Sequence, residues 1–270
     1  MIAKVLTDNL TKSALEPEWG LSLYLEYEGR KILLDTGASG RFLKNADACG
    51  IPIEQVEFGV LSHAHYDHAD GMGAFFARNQ NAVFYLQESC REDCYGKKGW
   101  FHKYIGIHRG FLKKYHQRIR YVSGDKELFP GIRLIPHHTE GLEKIARSVN
   151  LYRRQGRKLV PDSFSHEQSL VFETDQGLVI FSSCSHGGVD NIIREVQEAC
   201  PGTSIYAMVG GFHLFKTPAE EVRALAGRIR ETGIQRLYTG HCTGQKAFDI
   251  LREELGDAVV QLYTGMEIVL

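Results

Sequence analysis

The chain has 270 residues, of which 43% are hydrophobic, a share typical of a globular protein with a substantial core. Lys and Arg (32) nearly balance Asp and Glu (33), so no overall charge favours nucleic acid as a partner. The longest apolar stretches fall well short of the roughly 20 residues of a membrane span, so a membrane is not expected either.

The opening residues, MIAKVLTDNLTKS, lack the basic end and long apolar run of a signal peptide, and their alternation predicts a first strand. We therefore expect a cytoplasmic protein, in which six Cys are free thiols or metal ligands rather than a disulfide framework. Cys90 and Cys94 stand at a helical i, i+4 spacing. Without a second close pair, a zinc site built on cysteines is not expected.

The first part of the chain alternates strand patterns with helical ones. The predicted elements are a hairpin around Glu28-Gly29, a helix over 41–48, a buried strand in VEFGVLSHAH, a helix beginning at GMGAFFARN, and a strand over 82–87. The stretch LSHAHYDHADG, residues 61–71, therefore lies on a strand-to-helix loop.

Residues 88–120 interrupt this pattern and are rich in basic and aromatic side chains. The basic residues are Arg91, Lys97, Lys98, Lys103, Arg109, Lys113, Lys114, Arg118 and Arg120, and the interleaved aromatic ones are Trp100, Phe101, Tyr104, Phe111 and Tyr115. Only Glu88, Glu92 and Asp93 oppose them, so the segment is locally positive. We expect a basic helical cap inserted into the domain.

The second part of the chain returns to regular alternation. After a strand in PGIRLIP, hairpins are predicted around Gly156 and at 175–177. There follow helices over 190–199, 219–231 and 245–255, alternating with strands over 205–209, 235–239 and 259–263. This order predicts an α/β layered fold, as a single domain of residues 1–270 with two similar halves, about 1–130 and 131–270.

The loop at 61–71 places three imidazoles and two carboxylates within a few residues. At a strand end, residues i and i+2 point the same way, so His63 and His65 can hold one metal ion. The chain then turns into a helix, where Asp67 and His68 face a second position. A lone loop histidine is usually a surface residue, but His-x-His-x-Asp-His after a buried strand predicts a site for two ions.

One loop cannot complete two coordination spheres, so further ligands are expected at other strand ends. FSSCSHGG places Cys184 and His186 after one apolar strand, MVGGFHL places His213 after the next, and LYTGHCTG places His241 and Cys242 after the third. Each histidine alone is more often structural. Their repetition at equivalent places indicates ligands.

With these motifs, the sequence resembles the metallo-β-lactamase superfamily of metal-dependent hydrolases over nearly the whole chain. The resemblance rests on the Asp35-Thr36-Gly37 turn, the motif from His63 to His68, the strand end at His186 and the late Thr-Gly-His241. The motifs CSHGG, GGFHL and TGHCTG look most like the branch of dihydropterin ribofuranosyl-aminobenzene-phosphate synthases, from tetrahydromethanopterin biosynthesis.

The resemblance implies an α/β fold of the αββα type, in which two mixed β-sheets are flanked by helices. It implies a binuclear metal centre on one edge, where His63, His65 and a later ligand hold one ion. Asp67, which also has a catalytic role, would hold the other ion with His68 and His241. A bridging hydroxide would be the nucleophile.

The resemblance also implies that Asp35 orients a ligand or shapes the loop. In most of the superfamily, a His-x-x-Gly loop supplies a ligand before the middle of the chain; here this is His138 or its neighbour His137. Most of the superfamily also has an Asp that bridges the two ions, and in this sequence the corresponding position falls near Cys184. We therefore expect His186 to be the missing ligand and Cys184 to line or join the site.

His213 is expected to line the pocket, where it can touch substrate, although a structural role is nearly as well supported. In SFSHEQSLVF, Glu167 stands just before a strand and is expected to be a strand-entry residue rather than an acid/base or a carboxylate behind a ligand. A thiolate ligand would favour zinc, whereas a site of His and Asp alone also accepts manganese or iron. We expect two divalent ions, zinc first among them.

These features predict a metal-dependent hydrolase for a small anionic, phosphorylated substrate, which the basic segment 88–120 would cover. Aromatic rings there can stack on a ring and basic side chains can pair with phosphate. Two alternatives are a transferase of the dihydropterin synthase type and a di-iron protein that reacts with oxygen.

Overall fold

The computed structural model describes all 270 residues. Its strands are β1 (Ile2–Thr7), β2 (Ser22–Tyr27), β3 (Arg30–Leu34), β4 (Phe58–Val60), β5 (Val83–Gln87), β6 (Cys94–Lys98), β7 (Phe101–Tyr104), β8 (Ile119–Val122), β9 (Lys126–Phe129), β10 (Ile132–Pro136), β11 (Leu151–Gln155), β12 (Lys158–Pro161), β13 (Gln168–Thr174), β14 (Gly177–Phe181), β15 (Ile205–Gly211), β16 (Arg236–Gly240), β17 (Val259–Gln261) and β18 (Glu267–Val269).

The helices connect and flank these strands. They are α1 (Arg41–Ala48), α2 (Tyr66–Ala69), α3 (Met72–Arg78), α4 (Phe111–Lys114), α5 (Glu143–Val149), α6 (Val189–Ala199), α7 (Ala219–Glu231) and α8 (Gln245–Leu255). None of them combines the length and the apolar character needed to cross a membrane.

Two seven-stranded sheets carry the fold. Their strand orders are β18-β1-β2-β3-β4-β5-β8 and β17-β16-β15-β14-β13-β10-β9. From β18 and from β9 inward, each sheet has three antiparallel contacts followed by three parallel ones. This repeated order supports two similar halves, although β18 crosses from the end of the chain to pair with β1. The halves and the single domain stay predictions.

The sheets pack face to face and bury side chains on both sides. In β14, Val179 and Phe181 enter the core between the sheets, whereas Leu178 and Ile180 contact the layer of α6, α7 and α8. Successive strand residues point to opposite faces, so an uninterrupted apolar run identifies a strand covered on both sides. On the outer face of the first sheet, α1 and α3 pack in the same way. The predicted αββα sandwich is confirmed.

Most predicted elements are confirmed, and α1, α7 and α8 have the predicted bounds. The hairpins at Glu28-Gly29, Gly156 and 175–177 are also present. The sequence analysis did not identify α5, β9 and β18, because these are short and have no distinctive periodicity.

The prediction of a helical cap over residues 88–120 is wrong. Residues 94–104 of the segment form the hairpin of β6 and β7, and pairing of β6 with β11 joins this hairpin to β11 and β12 in a third, four-stranded sheet. Cys90 and Cys94 therefore do not share a helix, since Cys94 begins β6. Only α4 and a 3-10 turn at His116–Arg118 are helical, and the end of the segment enters β8 of the first sheet. The segment forms strands because β6 pairs with β11, more than 50 residues later in the chain, and the local sequence pattern does not show this pairing.

The aromatic side chains of this segment serve different purposes. Trp100 and Phe101, at the tip of the hairpin, are 95% and 80% exposed. Phe111 and Tyr115 instead pack on Phe76 as part of the layer outside the first sheet. The segment is therefore part core and part exposed hairpin.

The motif loop follows β4, and in this strand the backbone of Gly59 lies very close to the ring of Phe84. A Cβ atom at this position would lie 2.2 Å from the ring of Phe84, which is fully buried. We expect Gly59→Ala to destabilise the protein by about 1–3 kcal/mol through overpacking. Urea denaturation measures the change.

Gly227→Ala, the same substitution in α7, is the matched control. No atom lies within 4 Å of its added Cβ, so we expect about 1 kcal/mol of stabilisation from helix propensity. Equal effects of the two substitutions would contradict the assigned packing of β4 on β5.

Candidate metal centre

The candidate site lies at the carboxyl ends of strands from both sheets. Asp35 follows β3 and the motif loop follows β4, while Cys184, His213 and His241 follow β14, β15 and β16. Carboxyl ends of neighbouring parallel strands meet at one edge, where α/β proteins commonly bind ligands. The structure thereby brings together residues from five separate strand ends.

The backbone is strained at this edge. Asp35, Ser185, His213 and His241 have φ angles of 57°, 54°, 49° and 47°, although none is glycine. Such left-handed conformations cost free energy and concentrate at functional sites. Four strained residues therefore lie at this edge, where the direction of the side chains takes precedence over an unstrained backbone.

His63, His65 and His186 form the first group of candidate ligands. All three are buried, and their ligand atoms lie within 4.8 Å of one another. His63 Nδ1 contacts Ser62 Oγ at 2.8 Å, and His186 Nδ1 donates to Glu167 Oε1 at 2.8 Å. The Nε2 atoms of both rings are buried without a hydrogen-bond partner. These free nitrogens are available to a metal ion.

His68, His241, Asp67 and Cys184 form the second group. His68 Nε2 lies 3.2 Å from His241 Nε2 and 3.2 Å from Cys184 Sγ. Asp67 Oδ2 lies 3.9 Å from the first of these nitrogens and 3.6 Å from the second. Four potential ligand atoms of three chemical types therefore converge.

In the second group, the ring proton of each histidine lies on the outer nitrogen, Nδ1, which points away from the other ligand atoms. His68 Nδ1 donates to Asp35 Oδ2 at 2.7 Å, and His241 Nδ1 donates to Asn9 Oδ1 at 3.1 Å. The two Nε2 atoms then face each other with lone pairs unless a cation lies between them. Burial lowers the pKa of His68, but Asp67 and Asp35 outweigh burial and raise that pKa to about 8. This position attracts positive charge.

The imidazoles of His63, His65 and His241 are neutral. Burial, together with neighbouring histidines, holds the pKa of His63, His65 and His241 well below the usual value. A neutral ring offers a lone pair, which is the form that binds metal. Burial and the nearby Cys242 raise the pKa of the Cys184 thiol, which a coordinated cation would deprotonate. The donor set therefore fits divalent ions.

Asp35 connects the two groups. Its carboxylate is fully buried and accepts hydrogen bonds from Ser62 N, Ser62 Oγ and His68 Nδ1. Because the Ser62 hydroxyl proton is donated to Asp35, its oxygen accepts from His63 Nδ1. One carboxylate thereby directs Nε2 of both His63 and His68 away from itself, an arrangement typical of metal-binding histidines.

Glu167 has the corresponding role for His186, which the sequence analysis underrated in favour of a plain strand-entry residue. It is fully buried and accepts from His186 Nδ1 and from the backbone N–H groups of His186 and Gly187. His137 Nε2 donates to its second oxygen at 2.6 Å. The only sequence signal was an acidic residue directly before an apolar strand.

His137 and His138 do not have the same surroundings. His137 is nearly fully buried and donates from both ring nitrogens, to Glu167 and to Glu195, so neither nitrogen is free for a metal. The His138 ring is 43% exposed, and its Nε2 contacts Asp125 at 2.8 Å. Neither ring therefore offers a free nitrogen to a metal ion in the first or the second group of candidate ligands.

His213 and Cys242 lie beside the second group. Cys242 Sγ is 3.4 Å from Cys184 Sγ and accepts the backbone N–H of His213. The His213 ring lies 4.6 Å from that of His186 and lines a cavity. Asp8 and Asn9, which hold the His241 backbone and ring, were not identified from the sequence because no spacing marks them.

Two cavities are lined by candidate ligands or by their neighbours in the chain. One, of about 470 Å³, has His186 and His213 in its wall with Asn191 and apolar side chains such as Leu225. The other, of about 340 Å³, is lined by Tyr66 and Asp70, on either side of Asp67 in the chain, and by Lys103, Tyr104, His108 and Arg109. The inserted segment forms much of the second wall.

The inserted segment also holds the motif loop itself. Tyr66 N donates to Ile105 O at 2.9 Å, and Ile107 N donates to Ala64 O at 3.1 Å. These backbone bonds bracket His65. The segment therefore positions the motif in addition to lining the cavity.

The sequence profile of the metallo-beta-lactamase superfamily matches residues 19–190. The chain belongs to this superfamily. It is 28% identical, over 92% of its length and 90% of the relative, to the 7,8-dihydropterin-6-methyl-4-(beta-D-ribofuranosyl)-aminobenzene-5'-phosphate synthase of Methanocaldococcus jannaschii.

Solved structures show the same fold. Tm1679, described as a metal-dependent hydrolase of the beta-lactamase superfamily, is 28% identical with a TM-score of 0.87, over 100% of this chain and 99% of that one. A diphosphatase of the PhnP family, 14% identical with a TM-score of 0.56 over 100% and 97% of the two chains, shares the fold. The predicted family is confirmed.

Asp35 offers a direct test of how the candidate ligands are oriented. Asp35→Asn keeps the shape but replaces one of the two oxygens that together accept three hydrogen bonds with an NH₂ group. We expect metal affinity to fall about 10- to 100-fold, as found when the partners of metal-bound histidines are removed. Competition with a chromophoric chelator measures it, with Asp125→Asn as a control at a half-exposed carboxylate. Unchanged affinity in Asp35→Asn would contradict the orienting role.

His137 offers a test by pH. Burial lowers its pKa, but hydrogen bonds from its ring to Glu167 and Glu195 outweigh burial and raise that pKa to about 9. The ion pairs therefore stabilise the fold fully below the unfolded pKa of about 6.5, and this contribution is lost as pH rises through 9.

We expect His137→Ala to lower the free energy of unfolding by about 3–5 kcal/mol at pH 6, because two buried carboxylates lose their partner. At pH 9.5 the difference from the parent should be clearly smaller. Urea titrations at both pH values measure it, and His138→Ala, at the half-exposed neighbour, should have little effect. A deficit in His137→Ala that does not depend on pH would exclude the charged form of His137.

Proposed function

We propose that the protein is a metal-dependent hydrolase with a binuclear centre, acting on a small phosphorylated substrate. The observation that carries the proposal is the meeting of His68 Nε2 and His241 Nε2 at 3.2 Å, with both outer nitrogens already hydrogen-bonded. The free nitrogens of His63 and His186 support a second ion beside the first. The resemblance to Tm1679 supports hydrolysis as the reaction class.

The chain's own residues would divide between two ions. His63, His65 and His186 would hold one, and Asp67, His68 and His241 the other, with Cys184 in reach of the second. The thiolate favours zinc, whereas manganese or iron would suit the other ligands. When bound, divalent ions at this edge supply Lewis-acid polarisation of the substrate and activation of water.

The surrounding side chains would orient the metal ligands and keep protons off their metal-facing nitrogens. Asp35 and Glu167 keep protons on the outer nitrogens of His68 and His186, so that the inner nitrogens stay free. Asp67 is only slightly exposed, and its carboxylate can hold a proton beside the reacting group. Low exposure of the whole cluster strengthens every electrostatic interaction within it.

The proposed substrate class rests on the cavity that Tyr66 and Asp70 line. Lys103 and Arg109 bring two cations to its wall, with the Tyr104 ring, on which the Arg109 guanidinium stacks. Positive groups next to a flat ring suit a phosphate attached to an aromatic or ribosyl group. The larger cavity beside His186 offers apolar surface for the remainder of such a molecule.

Six free cysteines support a reducing compartment, so we propose a cytoplasmic location for this single-domain enzyme. The two cavities suit a small molecule, and we propose neither a membrane nor nucleic acid as a partner.

A synthase of the dihydropterin type is the second candidate, supported by the 28% identical relative from Methanocaldococcus jannaschii. In that reaction the same ions would stabilise negative charge while a bond to carbon forms. No particular contact of this chain favours a di-iron protein that reacts with oxygen. A coloured protein with a charge-transfer band after aerobic purification would support it.

The test is a screen of zinc- and manganese-loaded protein with phosphomonoesters, phosphodiesters and the dihydropterin synthase substrates. We expect phosphoester hydrolysis, lowered at least about 100-fold by Asp67→Ala because a ligand and a proton acceptor are lost. Arg109→Ala should raise KM about 10-fold with kcat little changed, since a charged hydrogen bond is removed.

Lys98→Ala, on the exposed hairpin outside both cavities, is the matched control and should behave like the parent. Turnover of the pterin and ribofuranosyl-aminobenzene phosphate pair without any ester hydrolysis would favour the synthase. Metal-loaded protein that hydrolyses no phosphoester would contradict the proposal.

A further inference from the structure

A second set of ligand-type side chains lies next to the candidate centre. It consists of Cys94, Asp162 and His166, together with His65 of the motif loop. His65 is 5% exposed and the other three are fully buried. Each offers one ligand atom, and the four atoms lie within 4.8 Å of one another. Thiolate, carboxylate and two imidazoles are a set that zinc binds.

The four residues come from separate parts of the fold. Cys94 begins β6, Asp162 follows β12, and His166 precedes β13. Cys94 and Asp162 therefore belong to the four-stranded sheet, whereas His65 belongs to the motif loop. Nothing in the local sequence brings them together, so their proximity is a product of the fold.

Within the set, one imidazole proton lies between two acceptors. Ala64 N donates to His166 Nδ1 at 3.2 Å, so the lone pair of that nitrogen is used and any proton lies on Nε2. His166 Nε2 lies 3.1 Å from Asp162 Oδ2 and 3.7 Å from Cys94 Sγ. One proton can serve only one of these acceptors well.

His65 adds a second unmet requirement. Its Nε2 is buried and has no hydrogen-bond partner. Buried nitrogens are rarely left unpaired, because desolvation without a bond costs about 1–3 kcal/mol. An ion among the four groups would satisfy His65, His166, Cys94 and Asp162 at the same time.

The distances agree with this interpretation. In a tetrahedral zinc site with bonds of about 2.0–2.3 Å, neighbouring ligand atoms lie about 3.3–3.8 Å apart. The distances of 3.1 and 3.7 Å around His166 Nε2 are close to this range. Charge agrees as well, since one thiolate and one carboxylate neutralise a divalent ion in a buried position.

We propose that Cys94, Asp162, His166 and His65 bind a third divalent ion, zinc by the nature of the ligands. Binding would release the protons of the Cys94 thiol and of His166 Nε2 to solvent, and a His65 ring with an ion at each nitrogen would release its own ring proton as well. His65 belongs both to this set and to the first candidate group, so its ring would connect the third ion to the proposed centre. The ion would fasten the inserted sheet to the motif loop.

The first test uses the unmodified protein, produced with zinc in the growth medium and crystallised without added metal. An anomalous difference map at the zinc edge should show a peak between Cys94 Sγ and His166 Nε2. Peaks at the strand-end groups alone, or no peak at all, would overturn the proposal and leave the four residues as hydrogen-bonded support for His65.

The second test counts metal by mass spectrometry. We expect Cys94→Ala to bind one ion per chain fewer than the parent. Cys90→Ala is the matched control: Cys90 is also buried and donates to His166 O, but it is not one of the four groups, so its variant should keep the parent count. Equal counts in Cys94→Ala and the parent would overturn the proposal.

The two proposals fail separately. Absence of phosphoester hydrolysis would leave the third ion unaffected, because the map and the count do not depend on activity. Absence of the third ion would leave the proposed binuclear centre and its reaction in place.

Discussion

The carboxylate of Asp35 is the interaction on which the candidate centre depends. It is completely buried, accepts the Ser62 N–H and hydroxyl, and accepts the His68 ring N–H. A buried carboxylate with three donors is costly to assemble, and its residue has the strained φ angle of 57°. The hydrogen bonds of this carboxylate hold two histidines with their Nε2 atoms directed away from it, which a flexible loop would not achieve.

The second half of the fold uses the same device. Glu167 holds His186 as Asp35 holds His68, and it is itself held by His137 and by backbone N–H groups. Each sheet therefore contributes a buried carboxylate that fixes the proton of a histidine at the shared edge. Asp35 follows β3 of one sheet and Glu167 precedes β13 of the other, so the two carboxylates reach the shared edge from different sheets.

The sequence predicted what depends on local pattern. Apolar alternation gave the strands and hairpins, amphipathic spacing gave α1, α7 and α8, and the spacing from His63 to His68 indicated metal. The surroundings of Glu167 were underrated, because its partners His137 and His186 lie 30 and 19 residues away. The inserted segment was mistaken for a helical cap for the same reason, since β6 pairs with β11 far along the chain. Contacts between distant segments leave no periodic trace in a single sequence.

The central claim is that strand ends of both sheets hold two metal ions side by side. The most direct measurement is the number of ions per chain, by mass spectrometry after dialysis against a weak chelator, in the parent and in a His63→Ala/His241→Ala variant. These histidines belong to different groups, so the account predicts that the variant binds two ions fewer than the parent. Equal metal content in the two proteins would contradict it.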